Sequence, residues 1–292
     1  MKAISTDHRS LTVAALWLGL AAPQVLCACE DNKTFPENTN PYQAGTSAPL
    51  SCVPDLDGII QPAELQPALG LSAKYTVSPA GTSRTVDLVG TVDSSGQRVW
   101  DWGASYSGDQ VATIEATTLQ GKWYAASFPN GQFVTPFDAG DTLEAVYSQD
   151  DGGLYIQGLA STSENPPGGK TLWVYDTPVT LYRLPLMKGS SWKSKGTIRN
   201  GTVDGIPYAA TDEYDGADVE TGQLVLPDFT FTQAHQLQFT VTTTLSAGGN
   251  PVVHKQTSFL FECFGEIGRA TSEPGETNDD FTTAAEVRRL GT

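Results

Sequence analysis

Basic residues are scarce in this chain. Its 292 residues carry 17 Lys and Arg against 33 Asp and Glu, a formal charge of −16. So acidic a protein repels nucleic acid and anionic lipid head groups, which excludes electrostatic recruitment to either. Histidine is scarcer still, with three in the chain. The usual catalytic signatures are missing: no G-x-S-x-G elbow, no H-E-x-x-H, no Gly-rich nucleotide loop and no S-x-x-K. Apolar runs are short. The longest, Leu11 to Leu26 behind Lys2 and Arg9, is too short and too poorly flanked for a membrane span and has the make-up of a signal-peptide core.

That run ends in Leu26-Cys27-Ala28-Cys29. Leu at −3, small residues at −2 and −1 and Cys at +1 resemble the lipobox of bacterial lipoproteins. The resemblance implies cleavage before Cys29, diacylation of its thiol and acylation of the new amino terminus. Two or three acyl chains hold a soluble domain on a bilayer, since each buried methylene contributes about 0.8 kcal/mol. The other reading is an ordinary secretory signal cut after Ala28. Loss of residues 1–28 removes Lys2, Arg9 and Asp7 and moves the formal charge from −16 to −17. The anchor is then lipid and not a basic patch. Residues 29–51 are polar, rich in Pro, Asn, Thr and Ser, and lack apolar periodicity. They read as a flexible tether with an r.m.s. reach of roughly 25 Å.

Cys52 and Cys263 remain after the signal and the lipidated Cys29 are set aside. Two thiols in an oxidising compartment most economically form one disulfide. Closing so long a loop stabilises by about 4–5 kcal/mol in the chain-entropy model. Two separately buried thiols are the other arrangement. Neither has a CxxC partner or a neighbouring His, which speaks against a metal or redox thiol.

Residues 52–70 carry Asp55-Leu56-Asp57-Gly58-Ile59, then Glu64-Leu65. D-x-D-G-x-I-x-x-x-E-L resembles the second part of an EF-hand loop, and Asp55, Asp57 and Glu64 are the candidate calcium ligands. Val53 stands at the first ligand position, Gln61 at the ninth, and Pro54 lies inside the loop. At most a weak calcium site is expected. The competing reading is a turn at Asp57-Gly58 with Glu64 capping a short helix over Pro62–Leu69.

From Ser72 the sequence becomes short alternating stretches divided by Gly-rich turns, the pattern of antiparallel hairpins. Strands are expected at 75–77, 85–89, 99–102, 122–128, 154–159 and 171–175, with a closing strand at 281–287. The clearest hairpin joins 231–245 to 252–261 across Gly248-Gly249-Asn250. Trp100, Trp102, Trp123, Trp173 and Trp192 all fall in predicted strands, as core residues or as linings of a ligand groove. His235 should face about residue 262 and His254 about residue 243, apart from each other and towards solvent. Asp212, Glu213, Asp215, Asp218 and Glu220 surround Gly216 and read as a solvated hairpin. Paired carboxylates for glycoside hydrolysis are their functional alternative.

Leu184-Pro185-Leu186-Met187-Lys188-Gly189-Ser190-Ser191-Trp192 is followed by Gly222 to Phe231 and later by Phe259 to Arg269. This order, over roughly residues 170–275, resembles exported bacterial proteins with "PL-x-x-G-x-x-W … P-x-G-x-F … G-x-G" spacing, and predicted lipoproteins of the myxobacterial type. Asp228 stands where those proteins often carry Gly, and the closing glycines are Gly265 and Gly268. The resemblance implies a fold like the half-open barrel of the periplasmic lipoprotein carriers, and no activity comes with it. The expected protein is mainly β: a single antiparallel, curved or half-barrel sheet at 71–292 with a short helical lead-in. It would be a monomer in the bacterial cell envelope, held on the outer membrane by acylated Cys29. Its expected role is a non-enzymatic binding or structural module without a cofactor, holding an amphipathic ligand in a groove lined by Trp173, Trp192, Phe239 and Phe259. A carbohydrate-active hydrolase using the acidic stretch is the alternative.

Overall fold

Period-two alternation with turn residues between the stretches makes the described residues mainly strand, with two short 3-10 turns as their helical pieces. The computed structural model describes residues 52–291, all within one compact unit. The signal segment 1–28, Cys29 and the tether 29–51 lie outside the described residues. In chain order the strands are β1 (Ile59–Ile60), β2 (Ser72–Val77), β3 (Arg84–Thr85), β4 (Thr91–Val92), β5 (Arg98–Asp101), β6 (Gln110–Glu115) and β7 (Phe133–Pro136). They continue as β8 (Leu143–Asp150), β9 (Gly153–Ser161), β10 (Leu172–Arg183), β11 (Leu186–Met187), β12 (Ser191–Val203) and β13 (Ile206–Val225). The last are β14 (Thr230–Leu245), β15 (Val252–Phe261), β16 (Gly265–Ser272) and β17 (Thr283–Gly291).

The main sheet runs β6-β2-β17-β16-β15-β14-β13-β12-β10-β9-β8-β7, with antiparallel pairing along this path. Its two ends meet. Thr117, just past β6, exchanges both backbone hydrogen bonds with Val134 on β7, each at 2.9 Å. The curved sheet is thereby nearly closed into a barrel, and neither end is left as a long free edge. One pairing is parallel: β5 lies beside the last four residues of β13.

The expected hairpin is present as β14 and β15, in register from His235↔Leu260 to Thr243↔Val252. Other expectations are corrected. Residues 206–225 form one continuous strand, so the acidic stretch around Gly216 is no hairpin. Residues 122–128 contain a 3-10 turn, Ala125–Ser127, in place of a strand, and Trp123 lies before it with its indole N–H on Ser161 O at 2.8 Å. Strand β3 stops at Thr85 because the Asp87 carboxylate collects the Val89 and Gly90 N–H groups and turns the chain. The helix expected over 62–69 is a single 3-10 turn, Pro62–Glu64.

The lead-in lies across one end of the staves. Residues 59–60 pair with β11, Pro62 O accepts from Gln149 at the end of β8, and Glu64 O accepts from Cys263 N after β15. Cys52 and Cys263 form a disulfide with Cα atoms 5.5 Å apart. Ile60 and Leu65 bury against Leu186, Trp192, Leu237, Phe239 and Leu260, each such side chain contributing about 1.5–3 kcal/mol. A separate apolar layer joins Trp100 and Trp102 to Phe259, Phe261, Phe281 and Leu224.

Candidate functional site

The barrel interior brings polar groups together from strands that are not neighbours. On β16, Glu266 Oε2 accepts from Tyr182 of β10 at 3.1 Å, Ser258 of β15 at 2.9 Å and Arg269 Nε at 3.1 Å. Its other oxygen is 2.7 Å from Arg269 Nη2. The backbone carbonyl of Glu266 accepts from Tyr75 of β2 at 2.6 Å. Tyr147 of β8 and Tyr214 of β13 are close enough to Arg269 to exchange electrostatic influence with it. Arg269 and Glu266 keep 21% and 16% of their side-chain surface accessible, although they sit inside the ring of strands.

Electrostatics follow from that placement. Burial, then the Glu266 carboxylate, pushes the Tyr182 phenol well above its usual range. Burial also raises the phenols of Tyr147 and Tyr214. Arg269 loses hydration, but Glu266 outweighs that loss and holds the guanidinium charged above its ordinary pKa. At neutral pH the cluster is one internally neutralised ion pair among protonated phenols, a hydrogen-bonding surface with no net charge. Further along the same strands, Asp212 accepts from Tyr175 and from Thr243, both at 2.6 Å.

Of the four aromatics expected to line one groove, two meet. The Trp192 and Phe239 rings are 5.8 Å apart, edge to face, under the lead-in, and both are buried. Trp173 is half-buried beside Tyr175, 5.0 Å between centroids. Phe259 is elsewhere, fully buried between Trp100 and Trp102 at 4.8 and 5.0 Å. Strand parity explains the split. Phe239 is opposite Gln256 and Phe259 opposite Gln236, so the two rings leave opposite faces of the sheet.

The same parity divides the acids. Glu213 and Asp215 face outward and pair with Lys195 and Lys193. Asp212 and Asp218 face inward and are buried. These two lie six residues apart on one strand, about 20 Å at the rise of a strand. Glycosidase carboxylates stand about 5–10 Å apart. His235 corrects the solvent-facing expectation: it is fully buried, opposite Leu260, with Nδ1 2.7 Å from Asp218 Oδ2. Among the described residues, neither Asp218 Oδ1 nor His235 Nε2 has a hydrogen-bond partner. Burial raises the Asp218 pKa against the opposing pull of His235. His254 is half-buried opposite Val241.

In the lead-in, the carboxylates that converge are Asp55, Glu64 and Glu262, with oxygens within 4.8 Å of one another. Asp57 is not among them, because its Oδ1 accepts the Ile59 N–H at 2.8 Å across the Gly58 turn. Glu262 takes its place; it is buried and accepts from Leu56 N at 2.7 Å. Glu64 accepts from Gln61 N at 2.8 Å in a capping box. Its pKa is raised by burial and by the Glu262, Asp55 and Asp57 charges.

Sequence reasoning passed over Tyr147, Tyr182, Tyr214, Glu266 and Arg269. The available signal was a charged pair inside a short strand with apolar Ile267 and Ala270 beside it. No family model, curated protein or solved structure matches this chain.

Proposed function

We propose that this chain is a lipid-anchored protein of the bacterial cell envelope whose barrel is a non-enzymatic binding module for an amphipathic ligand. The observation that carries the reading is the Glu266–Arg269 pair, inside the ring of strands and still partly accessible. About eight staves already make an interior that side chains can fill or that holds one small ligand. The path here has twelve. Apolar surface lies close to the polar cluster: Val241 is the cross-strand partner of Tyr214, and half-buried Leu143 and Trp173 pack on the same core as Tyr147. Such a mixture suits a ligand with a polar head and an apolar body.

The outer face of β12 and β13 supports a tethered domain in water. Lys193–Asp215, Lys195–Glu213 and Arg199–Asp176 form exposed ion pairs there, whereas a lipid-facing barrel wall would be apolar. Leu26-Cys27-Ala28-Cys29 supports the anchor. Fluorescence titration with the uncharged probe N-phenyl-1-naphthylamine tests the module. Saturable enhancement that an unlabelled amphiphile reverses is expected. No enhancement would replace the binding module with a packed structural one.

A further inference from the structure

We infer that Arg269 is the polar anchor of the interior site and that it takes an uncharged, oxygen-rich head, such as an ester, amide or polyol, in preference to a carboxylate. The inference rests on reading the barrel as a binding module and specifies what that module binds.

Three arginines stand together on β16 and β17, and two of them donate to backbone carbonyls outside these strands and keep only 7% and 3% of their side-chain surface accessible. Arg289 donates from Nη1 to Trp102 O at 2.8 Å and to Ala104 O, and from Nη2 to Asp109 at 2.7 Å. Arg288 donates from Nη2 to Phe137 O at 2.6 Å and from Nε to Glu286 at 2.6 Å. These two are clamps that hold loops to the barrel. Arg269 differs. Its Nε and Nη2 are held by Glu266, while Nη1 has no protein acceptor among the described residues. A guanidinium has five N–H donors and no acceptor, so this free edge calls for an oxygen from elsewhere.

Glu266 fixes the guanidinium in place. Its Oε2 is already shared by Tyr182, Ser258 and Arg269, so it is held as firmly as the group it orients. A donor held in advance binds an acceptor with little further loss of side-chain freedom.

Charge selects the head. Glu266 already neutralises Arg269, and a second carboxylate at the free edge would meet the Glu266 charge in a site of reduced dielectric. The whole chain, at −16, adds repulsion of the same sign. A carbonyl or hydroxyl oxygen meets neither penalty and still gains a charge-assisted hydrogen bond. Burial raises the phenols of Tyr147 and Tyr214, so neither puts a negative charge beside Arg269 at neutral pH.

The test uses the full chain carrying Cys29→Ser, purified without detergent and loaded with N-phenyl-1-naphthylamine. Decanoylglycerol and decanoate, matched in chain and kept below their micelle concentrations, compete for the probe at about pH 8, where the acid is ionised. The glycerol ester should displace the probe at a concentration at least about tenfold lower, and Arg269→Gln should erase most of that preference. Equal displacement, or tighter binding of decanoate, overturns the inference from the unsubstituted site alone, so a misfolded variant cannot decide it. A folded Arg269→Gln protein, judged by its near-ultraviolet circular dichroism, that keeps the full preference overturns it too. If the probe never binds, the binding module itself fails; if the probe binds and the heads are not distinguished, only the role of Arg269 fails.

Discussion

Tyr182 on β10 donates its hydroxyl to Glu266 on β16, 3.1 Å away, although four strands lie between β10 and β16 in the sheet. A flat sheet would hold strands so separated about 20 Å apart or more, at roughly 4.8 Å per strand. The contact therefore crosses the interior of a closed curve. It makes the polar cluster a structural tie as well as a candidate site.

Glu266→Gln should be strongly destabilising, because it leaves the Arg269 charge in the interior without a counter-ion. A loss of about 3–5 kcal/mol in urea unfolding is expected. Tyr182→Phe removes one hydrogen bond to a charged group and should cost about 1.5–3 kcal/mol. If both variants fall within about 0.5 kcal/mol of the parent, the range of ordinary surface changes, the pair is not in the interior.

How much of this was legible in the sequence differs residue by residue. The β14–β15 hairpin was readable because period-two alternation flanks Gly248-Gly249. Glu266 and Arg269 were not, since a charge in a strand reads as solvent-facing until the sheet is known to close on itself. Asp212 and Asp218 are carboxylates of the same stretch as Glu213 and Asp215, and only parity tells the buried pair from the exposed one. The disulfide was reached by elimination of other uses for Cys52 and Cys263, without help from geometry. Phe259 was misplaced relative to Phe239 because a position one residue different changes the face.

Gly216 shows why a large aromatic fits on β12. A Cβ at this position would stand 2.7 Å from the Trp192 ring and 2.9 Å from Phe239. Gly216→Ala should therefore cost about 1–3 kcal/mol through overpacking and shift the Trp192 fluorescence. A fully neutral Gly216→Ala in thermal unfolding would mean that Trp192 does not lie over this strand.

The bridge between Cys52 and Cys263 spans 211 residues and holds the lead-in across the barrel end. Replacing both by Ser should lower stability by about 2–5 kcal/mol. Protease cleavage should then begin within residues 52–70, mapped by mass spectrometry. Non-reducing peptide maps of the parent should recover the two cysteines linked; free alkylation of either would contradict the bridge.

Cys29 governs location in the proposed function. Mass spectrometry of the membrane fraction should find an N-terminal peptide that begins at an acylated Cys29. Cys29→Ser should move the protein to the soluble fraction, since loss of the chains removes about 0.8 kcal/mol per buried methylene. A Cys29→Ser protein that stays with membranes would remove the lipid anchor from the proposal.

Asp218 should leave a mark on stability against pH. Burial raises the Asp218 carboxyl above its unfolded value, so the folded state holds that proton more tightly than the unfolded chain. The stability this contributes is complete below the unfolded value of about 3.9 and is lost as pH rises through the raised folded value. Asp218→Asn keeps the shape and cannot titrate. The difference in unfolding free energy between parent and Asp218→Asn should therefore move against the parent as pH increases from about 4. His235 faces Asp218 from β14, while Lys188 and Glu220 act on it from further out, so the comparison belongs in the Lys188→Met background as well. A difference that stays flat from acid to neutral pH in both backgrounds would show that the Asp218 carboxyl titrates as it does in the unfolded chain.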